Sequence, residues 1–97
     1  MNYIENSKIM IIDDQPSNLS VIYEYLNEFN IDLMLIQKGQ EGIEIAELKK
    51  PDIILLDIIM PDMNGFETCR KLKENKNTAD IPVIFMSCLT DTDNIVK

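Results

Sequence analysis

The chain reads as one α/β domain: a parallel sheet with helices on both faces. Three observations predict it. Short branched-apolar runs such as Ile9-Met10-Ile11-Ile12 and Ile53-Ile54-Leu55-Leu56 have the length and composition of strands buried on both sides. Helical apolar spacing alternates with these runs along the chain. No repeat, linker or low-complexity stretch breaks the alternation over 97 residues, a length that suits a single core. Strand–helix–strand units cross over right-handed, which places helices on both faces of the sheet.

Each element has a local reason. Lys8–Ile12 is the first strand. Pro16 fits a first helical turn, where its missing N–H costs little. Leu19, Ile22, Leu26 and Phe29 follow at helical spacing, predicting a helix over Pro16–Phe29. Asp32–Gln37 is a shorter strand, stopped by Lys38-Gly39. Gln40–Lys50 is a second helix, with Ile43, Ala46 and also Leu48 as inward candidates, and Pro51 forbids its continuation. Ile53–Leu56 is the most apolar strand and so the central one. Phe66, Cys69 and Leu72 mark the buried stripe of a third helix. Ile81–Met86 is a fourth strand that tolerates Pro82 near its start. Thr90-Asp91-Thr92-Asp93 has the composition of a capped helix start.

Composition narrows function. Seventeen acids against nine bases give a formal net charge of −8, a poor footprint for nucleic acid or anionic membrane. The chain has no histidine, which excludes a Ser-His-Asp triad, a histidine phosphodonor and histidine-ligated zinc within these residues. Cys69 and Cys88 have neither metal-ligand nor disulfide-framework spacing; as reduced core thiols they suit the cytoplasm. No run reaches transmembrane length, and Met1–Ser7 is too polar for a signal peptide.

Three acids stand out. Asp13 and Asp14 close the first strand and Asp57 closes the third. If those strands are parallel neighbours, all three meet at the sheet edge where open α/β folds build their sites. Like charges about 4 Å apart near a protein surface repel by roughly 4 kcal/mol per pair. A divalent cation is the usual remedy. Taken singly, Asp13 also reads as a helix cap and Asp57 as a loop acid; jointly those readings are poor. Asp62 reads as a turn residue, and Asn64-Gly65 as turn geometry before the third helix.

With these positions in place, the chain resembles the receiver domain of two-component response regulators. The matching pieces are Ile11-Ile12-Asp13-Asp14, the run from Leu55-Leu56-Asp57 through Met60-Pro61 to Asn64-Gly65, and Ile81-Pro82-Val83-Ile84-Phe85-Met86-Ser87. The resemblance implies a flavodoxin-like, doubly wound sheet of strand order 2-1-3-4, with a fifth strand in the complete form. It implies that Asp57 accepts a phosphoryl group from a partner histidine kinase or phosphotransfer protein, with Mg2+ as cofactor. By the same resemblance Asp14 is a direct metal ligand, Asp13 holds the ion, and the Ile59 backbone carbonyl is a further ligand. Ser87 is the hydroxyl that bonds the phosphoryl oxygens. The domain is then a cytoplasmic signalling module whose only catalysis is its own phosphoryl transfer and autodephosphorylation.

The chain departs from the family at its end. The complete form adds a fifth strand, a fifth helix and a lysine after that strand, none of which lies within these residues. Residues 1–97 are therefore expected to be a C-terminally incomplete receiver, with an output domain absent from this chain. Ile81–Met86 would be an exposed apolar edge, inviting self-association. Two other functions compete. A haloacid-dehalogenase-like phosphatase also uses a strand-terminal aspartate with Mg2+, but needs an acid two residues on, where this chain has Ile59. A pseudo-receiver serving only as an interaction domain is favoured by the missing lysine and opposed by the intact acids.

Overall fold

The computed structural model describes residues 7–86. In chain order these form β1 (Lys8–Ile12), α1 (Pro16–Leu26), β2 (Asp32–Ile36), α2 (Gly39–Lys49), β3 (Ile53–Asp57), α3 (Gly65–Glu74) and β4 (Val83–Met86). The four strands make one sheet in the order β2-β1-β3-β4, every pair parallel.

This order follows from sequence pattern and handedness together. The chain steps from β1 to β2 in one direction, then from β2 back past β1 to β3 in the other. With right-handed crossovers, that reversal puts α1 on one face and α2 and α3 on the other. The face under α2 and α3 carries the main core: Met10, Ile12, Ile36, Ala46, Ile54, Leu56, Met60, Leu72 and Ile81. Ile11 points the opposite way and is fully buried, and Leu19 on α1 is buried too. β1 is thus covered on both sides, as its unbroken apolar run requires, while on β3 the face opposite the main core is only half-buried at Ile53 and Leu55.

Several boundaries differ from expectation, each for a local reason. The first helix does not run to Phe29. It ends at Leu26, tightens into a 3-10 turn over Asn27–Phe29, and stops at Asn30 in the left-handed region (φ 55°). Asparagine tolerates that conformation better than most residues. Lys50 (φ 49°) caps α2 in the same way, its N–H donating to the Ala46 carbonyl just before Pro51. Leu48 faces outward and is 82% exposed, whereas Ala46 is buried and Ile43 and Ile45 both pack against the core. Phe66 is not core either: it is 59% exposed and packs on Phe85 with ring centroids 5.1 Å apart.

The fourth strand begins two residues later than expected. Its pairing still starts at Pro82, whose carbonyl accepts from Ile54 N–H at 2.9 Å. The bond uses the group proline has and not the one it lacks. Among the described residues β4 forms a sheet edge, with Ile84 half exposed. The expected fourth helix from Thr90 and the expected core thiol Cys88 lie outside the described residues. Among those described, no helix is long and apolar enough to cross a membrane.

Candidate functional site: an acid pocket at the switch point

The sheet reverses direction between β1 and β3, and ligands of open α/β sheets bind at that crevice beyond the strand C-termini. β1 and β3 pair in register from Ile9↔Ile53 to Ile12↔Leu56. The residues after Ile12 and Leu56 therefore emerge side by side. Those residues are Asp13, Asp14 and Asp57. One carboxylate oxygen from each lies within 4.8 Å of the others. Asp13 and Asp57 are buried and Asp14 is half-buried.

Asp13 is held at both oxygens. Its Oδ1 accepts from Gln15 N–H at 2.9 Å, and its Oδ2 accepts from the Asn18 side-chain amide at 3.1 Å. Its own N–H donates to the Ile36 carbonyl of β2. It does not act as the N-cap of α1; Gln15 occupies that position and makes no side-chain cap bond.

Asp57 is different. It is 2% exposed, and its Oδ1 has no hydrogen-bond partner among the described residues. Burial pushes its carboxyl up to about 6, the charge of Asp13 adds to the rise, and Asp14 adds a little more. The backbone amides of Ile59 and Ile58 pull the other way. A buried, orphaned carboxylate oxygen beside two further acids is costly as it stands. It fits a hard divalent cation, which takes oxygen ligands and few protein carboxylates.

The turn after β3 is pinned by close approach. Gly65 N–H donates to the Ile58 carbonyl at 2.7 Å. A Cβ on Gly65 would collide with the Asp57 carbonyl oxygen and lie 2.7 Å from Ile58 Cα. None of the glycines described has positive φ, so Gly65 is needed for space and not for a special turn. Asn64 caps α3, its Oδ1 accepting from Glu67 N–H at 2.8 Å.

Of the other expected site residues, Ile59 follows Asp57 by two positions with its side chain 62% exposed. Ser87 lies outside the described residues; its predecessor Met86 pairs directly with Asp57. A cleft of about 380 Å³ opens beside Asp14, walled by Lys38, Gln40, Met60 and Met63. A larger hollow of about 710 Å³ runs along α1 past Tyr23 and Leu35 and contains none of the three acids. Asn18 was not anticipated from sequence. Its one signal is a polar residue in the first turn of α1, five positions after Asp13, and that spacing is informative only once the helix start is known.

Fold and pocket together define a doubly wound parallel sheet with an acidic, cation-suited crevice at its switch point. Residues 9–97 match the family model for the response regulator receiver domain, and the chain belongs to that family. It is 33% identical to the protein PilH of Pseudomonas aeruginosa over 81 residues, 84% of this chain and 67% of that one. It is 34% identical to the response regulator PleD of Caulobacter vibrioides over 84 residues, 87% of this chain but 18% of PleD. Among solved structures, the receiver domain of a signal transduction histidine kinase from Syntrophus aciditrophicus superposes with a TM-score of 0.78 at 31% identity, covering 93% of this chain and 68% of that one. The receiver domain of a sensor histidine kinase from Pseudomonas aeruginosa, which has a magnesium ion coordinated in its active site cleft, superposes with a TM-score of 0.80 at 24% identity. It covers 94% of this chain and 77% of its own, and at that identity the likeness speaks for the fold.

Proposed function

We propose that this domain is a phosphorylation-controlled switch in two-component signalling, with Asp57 as the acceptor. One observation carries the reading: three carboxylates converge on one point, and the most buried of them has an oxygen with no hydrogen-bond partner among the described residues. A bound Mg2+ would supply positive charge there to offset the negative charge developing in the transfer. Asp13, Asp14 and Asp57 would hold the ion, with the Ile59 carbonyl as a further ligand.

Asp57 attacks the phosphorus of a phosphohistidine. The O–P bond forms as the N–P bond breaks, and the electron pair returns to the imidazole, which takes up a proton. These 97 residues contain no histidine, so the imidazole lies outside them, and we assign it to a partner kinase or phosphotransfer protein. Ser87 donates its hydroxyl to a phosphoryl oxygen without adding charge. Family pattern supports that role, as does the pairing of Met86 with Asp57. The domain's own catalysis is confined to acquiring and hydrolysing this phosphoryl group, in the cytoplasm.

Incubation with acetyl phosphate and Mg2+ tests the reading. The expected product is a base-labile phosphoryl adduct that Asp57→Asn does not form. Absence of an adduct would leave an interaction module without phosphoryl chemistry. Turnover of a phosphomonoester would point to the phosphatase, which the apolar Ile59 argues against.

A further inference from the structure

We propose that Asn18 is a positioning residue for the cation: its side-chain amide sets the Asp13 carboxylate in the orientation that completes the metal pocket. The inference rests on the reading of the pocket given under the proposed function.

Asp13 is 3% exposed and both its oxygens are bonded. The Gln15 bond comes from backbone, and any residue but proline would supply it. The bond to Oδ2 at 3.1 Å depends on one side chain. Asn18 is the third residue of α1. Helical side chains lean toward the helix N-terminus, which carries this amide back over the first turn to Asp13. Its neighbours Ser17 and Ser20 are exposed and offer no such bond.

The chemistry of the donor matters. A lysine or arginine at position 18 would orient Asp13 equally well, but would place a positive charge beside a site meant for a cation. A neutral amide fixes the carboxylate and leaves its charge intact. An ionised carboxylate has about four lone-pair sites, so two hydrogen bonds still leave acceptor capacity for the ion or its water. Without the Asn18 bond, the Gln15 amide is the one restraint on the Asp13 carboxylate among the described residues, and the carboxylate can rotate away from the point it shares with Asp14 and Asp57. Partners of this kind behind a metal ligand are typically worth about 10–100-fold in metal affinity.

A purely structural role, steadying the start of α1, predicts a loss of stability with no loss of affinity in the folded molecules. The two are separated by titrating Mg2+ alone into the intact chain by calorimetry, with metal-free thermal unfolding alongside. Asn18→Leu keeps similar bulk and removes the donor; its Kd for Mg2+ is expected to rise about tenfold. Asn18→Gln keeps an amide and is expected to recover part of that loss. A folded Asn18→Leu variant that binds Mg2+ as tightly as wild type overturns the proposal, whatever its Tm. So does an Asn18→Gln variant as weak as the leucine one. Where Asn18→Leu does not fold, NMR of the wild type decides. The Asn18 side-chain NH2 resonances are expected to shift with Mg2+ along the calorimetric binding curve, and resonances that stay fixed at saturation overturn the proposal. Wild type that binds no Mg2+ would sink the pocket's reading and this inference with it, whereas equal binding by wild type and Asn18→Leu sinks this inference alone.

Discussion

Replacing Asp57 by asparagine should stabilise the metal-free protein, although it removes the proposed phosphoryl acceptor. Asp57 is 2% exposed and its carboxyl is pushed from 3.8 up to about 6 by burial and by the charges of Asp13 and Asp14. For an acid, a folded-state pKa above the unfolded one means the native state holds its proton longer. Stability is then fully present below the unfolded value and falls as pH rises from about 4 to about 6. At roughly 1.4 kcal/mol per pH unit, the ionised carboxylate costs about 3 kcal/mol at pH 7. Asparagine removes that charge at nearly constant shape. Its buried NH2 gives back part of the gain, because burying a poorly partnered amide costs about 1–3 kcal/mol. Acceptor oxygens of Asp13 and Asp14 within 4.8 Å limit that loss. The expected net gain is about 1–2 kcal/mol, or about 5–10 °C in Tm for a domain this small. Urea and thermal unfolding in EDTA at pH 7 measure it. The gain should shrink at pH 4, where the wild-type carboxyl is protonated, and Mg2+ should narrow it by stabilising wild type more. An Asp57→Asn variant no more stable than wild type at pH 7 in EDTA would refute the electrostatic account of this pocket.

Other perturbations probe the frame and the chemistry. Gly65→Ala forces a methyl group against the Asp57 carbonyl oxygen and should cost at least about 1–3 kcal/mol in urea unfolding, with slower phosphorylation because the backbone of the proposed acceptor must move. Asn64→Ala removes the cap of α3 and should cost about 1 kcal/mol, leaving Mg2+ affinity within twofold by titration. Ile59 lies two positions after Asp57 and is exposed, and its apolar bulk should hinder an attacking water. Ile59→Asn should therefore shorten the phosphoryl lifetime; an unchanged decay rate would remove Ile59 from the account.

The acids show how much a linear sequence can carry. Asp13, Asp14 and Asp57 were legible because each closes an apolar run, and a strand's end is a place in space once the strand is central and parallel. Phe66 and Leu48 show where pattern misleads. Helical spacing assigns them inward, yet Phe66 ends on Phe85 and Leu48 in solvent, because a stripe says which residues share a face and not how far the neighbouring element reaches. Gly65 was legible as a glycine that matters but not for its reason, which is the approach of α3 to the backbone of β3.

By itself, then, the sequence determined the alternation of strands and helices, the central strands and the three acids at their ends. Period and apolar run length are local properties, and they need no distant partner to be read. Only the tertiary structure decided that, among the described residues, Asp57 keeps an unbonded buried oxygen while Asp13 has none, and that the second bond to Asp13 comes from Asn18. Those facts depend on which side chains the packing of α1 and the register of β1 against β3 bring within 3 Å or so, a distance at which hydrogen bonds form and pattern is silent.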